Sequence, residues 1–393
     1  MPLLRTLLAT ALLGALASSD PTLALWTHTT RLARTPLPED RPRVAVAGCM
    51  VHVAWIDHLH DELHYTRSMD GGETWSTPRL VGASPGSPIR ALEIAASGPQ
   101  VHLVWEQGPS HRPGIHYRRS TNGGTSWRPA RRLSPVARTA QEPTLAAEED
   151  NVYVAWIRTR RGNSTKPAKL IFLHSANRGK DWSPPRRVDR RAKGLSTPRI
   201  TSDGGRLHLV WGRRENRGGT SLILEILHRS SADGGSTWDE RNQPVKRLGF
   251  LPWSVAANGD TVHLLWGRFG YKESRVEYKR STDMGQTWSP AITLDDEGTS
   301  AALSASGTSL DTVWIHDLRG TGPVVHSRSG NGGITWSPKK RLFVSGRQPT
   351  LATADEDQAC GGATHVLFAR HLVKNGNSFQ EIYHRRHPRY LGQ

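Results

Sequence analysis

Cysteine is nearly absent: the 393 residues carry two, Cys49 and Cys360. Two thiols cannot make the disulfide framework of a small stapled domain, and so few offer no thiolate cluster for catalysis or metal binding. Whether the two are joined is left open at this point. Long apolar runs are equally scarce. The one candidate, LLATALLGALA (7–17) behind Arg5, is too short to cross a bilayer and ends in Ala15-Leu16-Ala17. This pattern predicts a secretory leader over residues 1–17 and a secreted or periplasmic product with no membrane span. Acidic residues are short as well, 35 against 52 Lys and Arg, so the net charge is +17. Such a chain suits anionic partners, although solubility and an arginine-rich composition account for the same excess.

What is plentiful is punctuation. Gly 38, Pro 25 and Trp 14 point to an all-β chain of short strands with recurring aromatic anchors. Six copies of one turn follow each other: SMDGGETW (68–75), STNGGTSW (120–127), SANRGKDW (175–182), SADGGSTW (231–238), STDMGQTW (281–288) and SGNGGITW (329–336). Their Trp residues lie 48 to 56 positions apart, a period that means a propeller or solenoid.

The rest of each period repeats too. A run such as VHVAW (51–55), VHLVW (101–105) or VYVAW (152–156) precedes a second run such as ELHYTRS, GIHYRRS or VVHSRS, then the turn, then P-x-x-L or a variant. An apolar stretch, often opened by Pro, comes ahead of all three. Four short strands per unit predict a β-propeller of four-stranded blades spanning 25–388 as one domain. Residues 349–388 lack the turn and a fourth strand, and LWTHTTRL (25–32) supplies a candidate for it. Seven blades closed by the N-terminal strand are therefore expected, with six as the alternative; closure removes an exposed edge. A monomer is expected.

In the turn, Asp or Asn accepts backbone N–H bonds, Gly takes the φ > 0 position and hydroxyls close the loop. Asp70, Asn122, Asn177, Asp233, Asp283 and Asn331 are thus structural, since six copies round a ring cannot converge on one substrate. His52, His102, His208, His263 and His365 recur at one strand position and are too dispersed to share a metal, so packing between blades is expected and no metal or cofactor. Basic outer strands such as ARRL and KKRL make a rim without interleaved aromatics, which argues against nucleic acid as the partner. Asn163-Ser164-Thr165 is a glycosylation sequon where the pathway allows one.

The S-x-D-x-G-x-T-W turn resembles the Asp-box, or BNR repeat, of the sialidase-like propellers, over almost the whole chain past the leader. That resemblance implies the fold strongly and the activity weakly, because such propellers include glycosidases, receptors and assembly factors. It places the boxes on one face and the active mouth on the other, at the starts of the first strands and the ends of the second. Counting strand ends puts Arg43, Arg90, Glu142 with Thr144, Arg199, Trp253, Ser300 and Thr350 at the first, and Asp57, Glu106, Arg158, Arg213, Arg268, Asp317 and Arg370 at the second. Converging guanidiniums suit a carboxylate or sulfate.

By resemblance to sialidases, Arg43, Arg158 and Arg275 would grip a carboxylate, with Asp57 and Glu142 at matching places. The family's nucleophilic Tyr has no counterpart: GTSAALSAS (298–306) holds Ala301 and Ala302 there. The loop GASPGSPIRAL, where the family keeps its acid, holds none. Tyr271 with Glu273 could substitute as nucleophile and base, and Asp57 as acid. Three functions are consistent with these residues. The first is an exported propeller binding an anionic, carboxylate-bearing glycan through Arg43, Arg90, Glu142, Arg158, Arg199 and Arg275. The second is an active exo-glycosidase, and the third is an envelope or protein-interaction scaffold.

Overall fold

The computed structural model describes residues 26, 27, 29–36, 42–83, 86–159, 168–189, 194–217, 220–240, 242–246, 253–269, 274–318, 320–354, 362–374 and 377–388. The leader 1–17, Cys360, the sequon and the Tyr271/Glu273 pair lie outside them. The described chain is all strand: seven antiparallel sheets of four strands each.

The inner strands are Arg43–Ala47, Ile89–Ser97, Thr139–Glu148, Leu195–Asp203, Trp253–Asn258, Gly298–Ser306 and Arg347–Thr353, for blades one to seven. Each touches the next and the seventh touches the first, which closes the ring. Blade seven continues through Ala363–Lys374 and Asn377–Pro388 and ends on the N-terminal strand Thr30–Pro36. Seven blades and closure by the N-terminus are as expected; the closing strand runs Thr30–Pro36, overlapping the expected 25–32 only at its end. Cys49 is disulfide-bonded.

The second strand of each blade is covered on both faces, which explains its near-continuous apolar run. In blade three, Val152, Val154 and Trp156 pack on Val104 and Ile115 of blade two. The alternate residues Tyr153, Ala155 and Ile157 pack on Leu207, Leu209 and Trp211 of blade four.

A second interlock explains the glycines of the box. Tyr65 of blade one lies against Gly124 and stacks edge-on against Trp127, both in the turn of blade two. Tyr117 meets Gly179 and Trp182, Phe172 meets Gly235 and Trp238, His228 meets Gly285 and Trp288, and Tyr278 meets Gly333 and Trp336. His384 of blade seven meets Gly72 and Trp75 of blade one, so the pattern closes with the ring. Blade seven has no such turn, and Trp26 takes the edge-on place against His326 of blade six.

The recurring histidines belong to this belt. His52, His102 and His263 each bond a tyrosine hydroxyl at 2.7 Å, while His208 and His365 pair with His228 and His384. They pack within and between blades, as the sequence suggested.

Candidate functional site

The box turns fix which face is which. In every box the third-residue Asp or Asn takes the Ser hydroxyl and a backbone N–H four residues on, as in Asp70, which takes Ser68 Oγ at 2.6 Å and Thr74 N at 2.9 Å. Gly71 N–H donates to Cys49 O and Gly123 N–H to Pro99 O, tying each box to the turn between strands one and two. The opposite face therefore carries the starts of the inner strands and the loops between strands two and three.

Register identifies equivalent positions round that mouth. Arg43 pairs Ala54, Glu93 pairs Val104, Thr144 pairs Ala155, Arg199 pairs Val210, Ser254 pairs Leu265, Ala302 pairs Val313 and Thr350 pairs Leu367. The partner in each case is the residue before the second-strand Trp or Phe. Short hydroxyls at two of these places cap the next blade: Thr144 Oγ1 accepts Ile200 N–H and Ser254 Oγ accepts Leu303 N–H, each at 3.1 Å.

The long side chains do something else. Arg43 Nε donates to Glu93 Oε2 at 3.1 Å, and Arg199 Nη1 lies 3.7 Å from Glu93 Oε1. Blade three stands between blades two and four, so the Glu93–Arg199 contact spans the axial channel. Two guanidiniums from non-adjacent blades thus face one carboxylate. The bonds of Arg43 to described residues use Nε and Nη1, the latter to Pro42 O at 3.2 Å, out of five N–H donors.

Glu93 went unnoticed in the sequence because Arg90 stood at the strand start. Arg90 instead braces the following loop, through Gly108 O at 2.6 Å and Ser110 Oγ at 3.0 Å. The second-strand ends were miscounted by one in two blades: the residue level with Asp57 and Arg158 is Gln107 rather than Glu106, and His316 rather than Asp317.

That correction singles out Glu106. The other blades place Ile56, Ile157, Gly212, Gly267, Ile315 and Ala369 at its position. Glu106 is 6 % exposed. Its Oε2 accepts Glu142 N–H at 3.0 Å, and Arg90 is 3.8 Å away. Burial raises its pKa above the usual carboxylate range, against the hydrogen bond and Arg90. Glu142 itself has φ 53°, a left-handed backbone that costs on the order of 1 kcal/mol, and its carboxylate accepts Thr197 N–H.

Asp57 is buried and takes Leu59 N–H at 2.9 Å and His60 Nδ1 at 2.8 Å. Burial raises its pKa, but these bonds outweigh burial and the net shift is downward, so it is held as an anion rather than an acid. Asp57, His60 and Glu62 offer ligand atoms within 4.8 Å of one another, a trio in the hairpin DHLHDEL that the expectation of dispersed histidines did not consider.

The three arginines expected to share a carboxylate each have separate surroundings among the described residues. Arg43 meets Glu93, Arg275 meets the exposed Asp296 at 3.4 Å, and Arg158 has Arg138 and Arg187 as its electrostatic neighbours. Arg213 bonds Glu225. Trp253 is 2 % exposed and packs where Gly212 leaves room, so it is core rather than a sugar platform. One described tyrosine has a glutamate partner: Tyr383 donates to Glu381, which also binds Arg31 at 2.9 Å. Burial and that carboxylate push the Tyr383 phenol upward.

Residues 49–246 match the BNR repeat-like domain. The chain belongs to that family. Solved structures share the propeller architecture at low identity. Phage phi92 endosialidase is 12 % identical with a TM-score of 0.53, over 93 % of this chain and 70 % of that one. A Hadza microbial sialidase, Hz136, is 14 % identical with a TM-score of 0.50, over 82 % and 73 %. Trypanosoma rangeli sialidase in complex with sialic acid is 12 % identical with a TM-score of 0.52, over 92 % and 60 %. No curated protein matches this chain. At these identities the likeness concerns fold alone. Within the BNR repeat-like chain, no described helix is long and apolar enough to cross a membrane.

Proposed function

We propose that this BNR repeat-like propeller binds a carboxylate-bearing sugar at its mouth and does not hydrolyse it. The observation that carries this reading is the Arg43–Glu93–Arg199 bridge across the channel. Two guanidiniums from separate blades already converge on one carboxylate, and the Arg43 donors beyond Nε and Nη1 suit a second one. The T. rangeli sialidase complex with sialic acid supplies a candidate ligand of that chemistry.

Hydrolysis lacks its machinery among the described residues. Ala302 stands level with Arg43 on the inner strand where the family's tyrosine is expected, and Asp57 is held ionised by His60. The alternative hydrolase would use Tyr271 with Glu273, or the Tyr383–Glu381 pair, whose bond fits a phenol activated by a carboxylate. The raised phenol pKa weighs against the latter. An oxidising location outside the cytoplasm is part of the proposal, supported by the disulfide at Cys49.

A fluorogenic sialoside assay separates these readings when run beside calorimetric binding of free sialic acid. The expected result is binding without turnover, weakened at least about tenfold by Arg43→Ala, the loss of a charge-assisted contact. Turnover in the wild type that disappears in Tyr383→Phe would overturn the proposal in favour of the hydrolase.

A further inference from the structure

The hairpin between the second and third strands of blade one, on the mouth face, departs from the histidine belt. DHLHDELH (57–64) packs three of the chain's 18 histidines and three acids into eight residues. Register puts Asp57 directly opposite Glu62 and Trp55 opposite His64, so these four side chains leave the sheet on one face. The tip turns at Asp61, whose φ of 55° is left-handed, and His60 folds back onto Asp57, Nδ1 to Oδ2 at 2.8 Å. Asp57, His60 and Glu62 then offer one ligand atom each within 4.8 Å of one another, the one such group among the described residues. Ligands at bond lengths of about 2.0–2.2 Å round a tetrahedral ion stand roughly 3.3–3.5 Å apart. Small side-chain rotations therefore complete the set.

Both carboxylates are braced from behind, as metal ligands are. Asp57 Oδ1 accepts the N–H groups of Leu59 at 2.9 Å and His60 at 3.3 Å, which turns Oδ2 toward the imidazole. Glu62 Oε2 accepts His64 Nε2–H at 3.0 Å, and the His64 ring lies flat on Trp55, with centroids 5.7 Å and planes 15° apart. Charge points the same way. Like charges directly opposite one another across two strands repel. The chain has 52 Lys and Arg, yet among the described residues neither carboxylate has an ion pair with either; their partners are imidazoles. The Asp57 side chain is 8 % exposed and that of His60 is 54 % exposed, so the cluster has a buried floor and an open entrance.

We propose that this hairpin binds one zinc ion through Asp57 Oδ2, His60 Nδ1 and a carboxylate oxygen of Glu62, with the solvent-facing position left to water. Two carboxylates offset the charge of the ion. His60 coordinates as the neutral imidazole, its proton carried on Nε2. A mixed nitrogen and oxygen set of three suits zinc, whereas calcium asks for six to eight oxygens. The site shares no residue with the Arg43–Glu93–Arg199 bridge and does not rest on it.

The test is calorimetric titration of the untagged chain, stripped with a chelator and dialysed, with zinc chloride at pH 7 and with calcium chloride in parallel. The expected result is one zinc ion per chain. His60→Ala and Glu62→Gln should each weaken it at least about tenfold, the loss of one ligand. His111→Ala, at an exposed histidine outside the hairpin, should leave it unchanged. Saturating zinc should raise the melting temperature of the wild type and not that of His60→Ala, because an ion that binds only the folded chain stabilises it. Absent zinc binding, or binding that His60→Ala and Glu62→Gln both leave intact, would overturn the site. Calcium bound as tightly as zinc, and equally well by His60→Ala, would overturn the assignment of an imidazole-ligated transition ion.

Discussion

Asp and Asn are interchangeable in the box because the turn asks chiefly for acceptors. Asp233 takes Thr237 N–H at 2.8 Å and the Thr237 hydroxyl at 2.7 Å, and with Ser231 these bonds hold it at about 2. Asn122 keeps the backbone acceptor role and turns its amide toward Ser126 Oγ at 2.9 Å. Asp70→Asn should therefore keep the melting temperature within a degree or two. Asp70→Ala, which strips the turn of its acceptor, should cost about 1–2 kcal/mol, comparable to losing a helix cap. Thermal denaturation of the two variants checks this, and equal losses would contradict it. These box residues were legible in the sequence because their chemistry is local. What the sequence could not give was the partner of the box glycine. Gly124 is indispensable because Tyr65 of another blade fills the space where a Cβ would sit, a contact across 59 residues.

At the scale of the strand, register decides which side chains meet. The inner strands of blades two, three, four, six and seven each carry a bulge near the mouth. One extra residue on one strand shifts every later side chain by a position. Counting from strand starts selected Arg90 rather than Glu93 and Ser300 rather than Ala302 in two bulged blades, and Trp253 rather than Ser254 in unbulged blade five, whereas Arg43, Thr144, Arg199 and Thr350 were named at the equivalent level. Positive φ at Glu142, Thr197, Ser300 and Gln348 marks the same bulges. Lining up the second strands would have exposed Glu106 as the single acid among apolar and glycine positions. An acid whose folded pKa is raised binds its proton more tightly in the folded state, so it favours folding at low pH and opposes it as pH rises through the folded pKa. Glu106→Gln keeps an acceptor for Glu142 N–H and removes the buried charge. It should raise the melting temperature at neutral pH, with less gain near pH 4. A lower melting temperature at neutral pH would mean that the Arg90 contact outweighs burial.

For the whole molecule, the buried histidine belt sets the acid limit. Burial, before any neighbouring charge, lowers His52, His102 and His384 to about 3 and His208 and His263 to about 4. These rings are neutral when folded and take up protons near 6.5 when unfolded. The unfolded chain thus binds more protons below that pH, and stability falls as pH drops from about 6.5 toward 4. Each histidine contributes up to about 1.4 kcal/mol per pH unit in that window. Urea denaturation at pH 7, 6 and 5 should show a steady loss, halved in slope if several belt histidines are replaced by Phe or Tyr; a flat profile would contradict the account. The blade count and ring closure were readable because they repeat, seven times over one period. The candidate site was readable only in part, because it is where the repeat is broken: of the Arg, Glu and Arg at three of seven equivalent places, Arg43 and Arg199 were named from the sequence and Glu93 was not.

The central claim is that this bridge grips a carboxylate, and the most direct test compares sialic acid with its carboxyl methyl ester in calorimetric titrations of the wild type. The account requires the free acid to bind and the ester to bind at least about tenfold more weakly, the energy of about 1.4 kcal/mol for one charge-assisted contact. Equal affinity for acid and ester would contradict it, because the arginines of the mouth would then not be reading the carboxylate.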